Sequence, residues 1–279
     1  MPEFFNVVPP DQAFQLLKKH LPVNLVLETI DTADSLGRVT ANEVTSPEDL
    51  PAFARSTMDG FSVRARDTFG ASEGMPAYIE VIGEVLMGQA TNLTLATGQA
   101  AVAYTGGMLA SGADAVVMME RTQRVDDKTI EVLRPVAPGE NVVQIGEDVR
   151  QGDQVLPQGH VIRPQDIGGM LALGLQSVQM ARRPRVAIVS TGDELVTPDK
   201  KPGPGQIRDI NTYTIAGLIT NCGGVPVPIA MVEDDFEAQK TAAAEAMEKG
   251  DIVVFSAGSS VSSRDMTASV FESLDGSKI

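Results

Sequence analysis

The spacing of apolar positions changes character along the chain. Near the start, Asp11 follows two prolines and precedes Ala13, Phe14, Leu16 and Leu17, which predicts a short helix capped by Asp11 and ending near Leu21. A strand-like run follows at 25–30, then a second short helix with Ala33, Leu36, Val39 and Ala41 on one face. From about residue 47 to 136 the segments become short, rich in Val, Ile, Tyr and Thr, and broken by glycines. Strands are predicted at 77–85, 99–104, 115–120 and 129–133, with Asp126-Asp127-Lys128 as a hairpin turn.

After two turns, Gly146-Glu147-Asp148 and Gln151-Gly152-Asp153, Pro164 starts a helix whose apolar face is Ile167, Met170, Leu171 and Leu173. Arg182-Arg183-Pro184 marks a boundary. Beyond it the rhythm is α/β, opening with a continuous apolar run at 185–190 of the kind parallel sheets require. A helix at 211–222 carries Tyr213, Ala216, Gly217 and Ile219 on one face; a strand at 225–230, a helix at 236–249, a strand at 252–256 and a helix at 264–274 complete the pattern. The fold class expected is multidomain α/β plus β. A β-rich domain at 47–136 is inserted in a mixed helical and strand linker domain, 1–46 with 137–182, and an incomplete three-layer α/β domain follows at 183–279. Open sheets usually hold about four to six strands, so this one is either cut short or completed by a partner.

Composition narrows the chemistry. The 279 residues include 22 basic and 37 acidic side chains, a net charge of −15, which disfavours a nucleic-acid backbone or an anionic membrane as partner. One cysteine, Cys222, permits no internal disulfide and no Cys-rich metal site; with His20 and His160 as the only imidazoles, His-rich sites are excluded too. No Ser or Cys motif accompanies either histidine, so both are read as structural surface residues. The N-terminus lacks the pattern of a signal peptide and no apolar stretch is long enough to span a bilayer, so a cytoplasmic protein is expected.

Small-residue loops then stand out. Ser190-Thr191-Gly192-Asp193-Glu194-Leu195 ends the first α/β strand, at the edge where open sheets bind ligands. A Gly/Ser loop containing Ser256, Gly258, Ser259 and Ser260 ends the third strand and leads into a helix, where backbone N–H groups and hydroxyls approach an anion. Each alone is the ordinary grammar of an α/β turn; two such loops ending neighbouring strands point to a phosphate-type ligand. Asp59-Gly60 is read singly as a turn, and Thr105-Gly106-Gly107 as a glycine loop. Two readings stand for the acidic residues. Asp209 caps a helix and Glu233-Asp234-Asp235 offsets a helix dipole, or these residues bind Mg²⁺ together with Asp193 and Glu194.

The order of these motifs resembles a known family. Leu36-Gly37-Arg38-Val39, Pro51 followed by Ser56-Thr57-Met58-Asp59-Gly60-Phe61, Thr105-Gly106, Gly112-Ala113-Asp114-Ala115, Gly146-Glu147-Asp148, Ser190–Leu195 and Gly205-Gln206-Ile207-x-Asp209-x-Asn211 are similar to those of the molybdopterin molybdenumtransferases, the MoeA and gephyrin E-domain family. The resemblance runs from about residue 9 to 275. It implies insertion of molybdate into adenylylated molybdopterin with Mg²⁺ present and AMP released, in a homodimer whose sites are shared between subunits. Asp59, Thr105, Asp148 and Glu194 are then the catalytic candidates. Ser190, Gly192, Asp193, Ser256, Gly258, Ser259, Ser260 and Arg264 would line the pterin phosphate, and Asp209, Asp234 and Asp235 the Mg²⁺ end.

The sequence also departs from the family pattern. Ala268 stands where a lysine is expected, with Arg264 about one helical turn earlier; Gly107-Met108 replaces the usual Ala-Pro, and Val143-Gln144 the usual basic pair before Gly-Glu-Asp. The rest of the α/β domain and a further β-barrel domain of the family are not in this sequence. These departures keep a second reading open: a non-catalytic, dimeric pterin-binding scaffold or an inactive fragment.

Overall fold

The computed structural model describes residues 8–21, 25–256 and 266–274. The chain falls into two compact units, Met1–Ala41 with Val161–Pro164 and Ser177–Ile279, and Asn42–His160 with Gln165–Gln176. The β-rich segment expected at 47–136 lies wholly inside the second unit, and the α/β segment at 183–279 wholly inside the first.

The chain opens with α1 (Pro10–His20) and β1 (Leu27–Asp31). The second unit then contributes β2 (Gly60–Val63), β3 (Ala77–Glu84), β4 (Gln99–Ala103), β5 (Ala115–Met118), β6 (Thr122–Arg124) and β7 (Thr129–Val132), followed by α2 (Pro164–Ala172). The α/β part comprises β8 (Ser177–Ala181), β9 (Arg185–Thr191), α3 (Asn211–Asn221), β10 (Val225–Val232), α4 (Phe236–Lys249), β11 (Ile252–Ser256) and α5 (Thr267–Glu272).

In the second unit six strands form one sheet in the order β5-β2-β4-β3-β7-β6. All its neighbours are antiparallel except β3 and β4. Phe61, Val63, Ile79, Ala100, Val117, Ile130 and Val132 form its core, each at most 5% exposed. The hairpin at Asp126-Asp127-Lys128 forms as expected: the Asp126 carboxylate accepts from the amides of Lys128 and Thr129, both at 2.8 Å. Asp59-Gly60 is not simply a turn. Asp59 ends a bend and Gly60 begins β2, where a Cβ would lie 2.0 Å from the Val117 carbonyl oxygen of β5, so only glycine fits.

In the first unit β1 pairs antiparallel with β8. The parallel sheet has the order β10-β9-β11, with β9 central. Ala187 and Val189 of β9 pack against Ala242 and Ala246 of α4.

Several expectations need correction. Asp11 lies in the first turn of α1 rather than capping it, and no α1 residue is buried. The helix expected around Ala33–Ala41 is only a 3₁₀ turn, Thr32–Asp34. The Ser35 hydroxyl bonds back to the Thr32 carbonyl, Gly37 takes φ +70°, and Val39 and Thr40 bridge to Val161 and Met180 instead. The apolar face assigned to α3 is not buried, and Tyr213 is exposed. His160 is held by a 2.7 Å bond to the buried Asp166, consistent with a structural role. No helix among the described residues is long and apolar enough to cross a membrane.

Candidate functional site

The parallel sheet brings together the ends of its strands. β9 and β11 pair in register from Val186↔Ile252 to Ser190↔Ser256, so the two strands end side by side at the same edge; the loop that follows Ser256 lies outside the described residues. A polar relay ties that edge to the start of α3. The Thr212 hydroxyl donates to the Asp209 carboxylate at 2.6 Å and lies 2.8 Å from the Ser190 hydroxyl. With Thr212's proton spent on Asp209, Ser190 is the donor in the second bond. The Thr212 amide also donates to Asp209, at 3.1 Å, which gives α3 an anionic group at its first turn. Asn211 donates its side-chain amide to the Ser256 hydroxyl at 2.9 Å, closing the link from α3 to β11.

Gly192 shows why this loop needs glycine. Its φ is +147°, and a Cβ there would stand 2.6 Å from the Glu194 carboxylate, which folds back over it. Glu194 and Asp193 are exposed; Asp193 accepts the Asp234 amide at 3.0 Å, which joins the β9 and β10 loops. Asp235 caps α4 by accepting from the Ala238 amide at 2.9 Å. Both oxygens of the buried Asp209 are committed to Thr212. Among the described residues no three His, Cys, Asp or Glu side chains are gathered closely enough to hold a metal ion, so Asp209, Asp234 and Asp235 do not form a protein-only cage. Ser190, 1% exposed with its hydroxyl turned to Thr212, acts as support beneath the loop surface. Gly258, Ser259, Ser260 and Arg264 lie outside the described residues.

The second unit holds its own polar cluster. Asp59 accepts from both the amide and the hydroxyl of Thr105, at 2.8 and 2.9 Å. These two bonds, the amide foremost, hold its carboxyl below the usual carboxylate range. Beside Thr105, the Tyr104 hydroxyl donates to Glu84 at 2.8 Å, and that bond together with the charges of Glu84 and Asp59 raises the phenol above its ordinary value. The backbone clamps the same place: Gly106 donates to the Ser56 carbonyl and Ser56 to the Gly107 carbonyl. Asp148 is exposed and lies 3.6 Å from the Arg55 guanidinium.

Arg55 is a residue that reading the sequence missed. Val142-Val143 pairs antiparallel with Arg55-Ser56, Val143 opposite Arg55, so the position where the family resemblance expects a basic residue faces an arginine on the neighbouring strand. The signal was the missing pair itself, but only the register shows that an arginine stands opposite it. Thr212 was missed too; nothing in its spacing distinguishes it from an ordinary helix residue.

The chain is similar to known proteins along most of its length. The N-terminal region of MoeA, its domains I and II, matches residues 8–174, and a family described as a probable molybdopterin binding domain matches residues 187–279. The molybdopterin molybdenumtransferase of Nostoc sp. is 37% identical over 252 residues, which are 90% of this chain and 57% of that protein. The enzyme of the same name from Bacillus subtilis is 32% identical over 270 residues, 96% of this chain and 63% of its own. A crystal structure of a molybdopterin biosynthesis MoeA protein from Pyrococcus horikoshii superposes with a TM-score of 0.86 at 36% identity, covering 95% of this chain and 66% of that one. The chain therefore spans about three-fifths of the length of the curated relatives it matches.

Proposed function

The chain belongs to the MoeA family, and on that premise we propose that it acts in molybdenum cofactor biosynthesis as part of a molybdopterin molybdenumtransferase. In this reading it binds adenylylated molybdopterin and molybdate in the cytoplasm, as a homodimer, and inserts molybdenum with release of AMP. The observation that carries it is the relay at the carboxyl edge of β9 and β11, where Ser256–Asn211 and Ser190–Thr212–Asp209 tie the ends of the two strands to the start of α3. Such an edge places backbone N–H groups and hydroxyls where a pterin phosphate would sit.

Cleaving a phosphoanhydride calls for charge screening and positioning more than for a strong nucleophile. Asp193 and Glu194 stand exposed at the loop, while Asp59 and Thr105, held by their mutual bonds, present a fixed carboxylate, and Asp148 is exposed beside Arg55. The donors suit Mg²⁺, which takes hard oxygen ligands, and their dispersal suits a cation shared between one or two carboxylates and substrate phosphates. Asp209, Asp234 and Asp235 are the protein groups assigned to that end; the bound ion would screen phosphate charge. Of the phosphate-lining group, Ser256, Gly258, Ser259, Ser260 and Arg264 supply donors and Ser190 and Gly192 shape the loop.

A second reading, a pterin-binding scaffold without turnover, is favoured by Ala268, which is exposed on α5 where the family pattern has a lysine. Titrating adenylylated molybdopterin into the 279-residue chain tests binding, and adding molybdate and Mg²⁺ to the same chain tests AMP release. Saturable binding that Glu194→Gln weakens, together with AMP release, supports the enzyme. Binding without AMP release leaves the scaffold, and no binding rejects both.

A further inference from the structure

The parallel sheet of the first unit has a second edge, and it carries a cavity. The strands β9, β10 and β11 all begin there, just after Pro184, Gly224 and Asp251. Residues immediately upstream of each strand line a cavity of about 890 Å³ together with residues near β1 and β8. At roughly 3.3 Å per residue, the length of β9 sets this cavity about 20 Å from the Ser190 and Ser256 loops. It is separate from the site proposed above, and its size lies within the range of small-molecule pockets.

Its lining is unlike the rest of the chain. Three arginines, Arg38, Arg182 and Arg183, face it with one aspartate, Asp251, in a protein whose net charge is −15. Arg182 is engaged by Asp251 at 2.8 Å. Arg38 is different: its side chain is only 10% exposed, its Nη2 is held by Glu28 and the Ala181 carbonyl, and its buried Nε has no hydrogen-bond partner among the described residues. A buried guanidinium N–H without a partner keeps its desolvation penalty uncompensated, so such a group calls for an acceptor. Beside it stand Val26 and Val161, 49% and 55% exposed, with Val39, apolar surface open to solvent.

We propose that this cavity binds a small amphipathic anion, a molecule with one phosphate or carboxylate head and an apolar body. The head sits against Arg38 and Arg183, where guanidinium groups match a planar or tetrahedral oxyanion, and the body lies along Val26, Val39 and Val161. The charge excess in an otherwise acidic chain selects an anion, and the apolar wall selects against free phosphate.

The chain supplies its own reporter, because its single cysteine, Cys222, is exposed and lines this cavity. Octyl phosphate titrated calorimetrically into the 279-residue chain is expected to bind saturably. At a concentration tenfold above its Kd it leaves about a tenth of the sites open, so alkylation of Cys222 by iodoacetamide slows about tenfold. Arg183→Glu, on the surface, weakens binding by about tenfold or more, the worth of one charged contact. Val161→Asp does the same without touching an arginine, and Arg38→Met abolishes binding if that variant folds. Inorganic phosphate and octyltrimethylammonium leave Cys222 unprotected. Protection by octyltrimethylammonium equal to that by octyl phosphate overturns the anion. Binding unchanged in both Arg183→Glu and Val161→Asp overturns the site. Protection that rises with protein concentration and not with octyl phosphate assigns the cavity to a second copy of the chain and also overturns the proposal.

Discussion

Asp59 in one unit and Ser190 in the other both stand at the end of a buried strand, but the two strands are supported differently. Every residue of β2 is buried, and it lies second in a six-stranded sheet with paired neighbours on both sides. β9 is also buried from Val186 to Thr191, yet both strands beside it are sheet edges made of half-buried and exposed residues. No residue of α3, which covers part of that sheet, is buried. The β-rich unit thus holds its cluster by backbone pairing and a dense core in addition to the Asp59–Thr105 bonds. The α/β unit has less packing to rely on and uses side-chain bonds, Ser190 to Thr212 to Asp209 and Asn211 to Ser256, to hold its loops in place.

The contrast is tested most strongly at glycines. Gly60→Ala drives a Cβ to 2.0 Å from a backbone oxygen of the neighbouring strand, and is expected to destabilise the second unit by about 3 kcal/mol or more, seen as a lower urea midpoint. Gly217→Ala in α3 meets nothing within 4 Å and should stabilise by up to about 1 kcal/mol in the same measurement. Equal responses at the two positions would mean that the two units are packed alike.

The relay is tested next. Asp209→Ala removes an acceptor from the first turn of α3 and from the Thr212 hydroxyl, at a cost of about 2 kcal/mol. Asp209→Asn, which keeps one carbonyl oxygen as acceptor, should recover part of that loss in thermal melting. If neither variant shifts the melting temperature, packing alone supports the loop edge.

The smallest effect concerns pH. Because hydrogen bonds from Thr105 depress the folded-state pKa of Asp59, the stability they lend is present above the unfolded carboxylate pKa and is lost as pH falls through the lower folded value. Thr105→Val removes the hydroxyl donor but leaves the amide, the larger of the two causes. Carboxyl NMR titration should therefore show the Asp59 pKa rising only part of the way toward its ordinary value. A full return would mean that the backbone no longer clamps Thr105 against Asp59.

Much of this organisation was legible along the chain. Alternating and continuous apolar runs located β3, β4, β5, β7, β9, β10 and β11 to within a few residues, because burial on one or both faces of a strand imposes a period that short windows record. Helices were harder where polar side chains compete with the backbone. Ser35 and Gly37 turned an apparent helical face at 33–41 into a 3₁₀ turn and a bridge, and Asp11 proved to lie inside the helix it was expected to cap. Motif order pointed to the family that the comparisons then showed, while Thr212 and Arg55 became visible only through their partners.

Sequence alone determined many of the strands but not β2, β6 or β8, that Cys-rich and His-rich metal sites are excluded, and that carboxylates and small-residue loops are the available tools. Those follow from composition and from local periodicity. Tertiary structure decided which of those groups are committed. It turned Ser190 and Asp209 inward onto Thr212, left Glu194 exposed over Gly192, set Arg55 opposite Val143, and gathered three arginines around a cavity in an acidic protein. The reason is that a strand crossover or a register joins residues that are distant in the chain, and a side chain's charge and hydrogen-bonding capacity are settled by the partners it meets there.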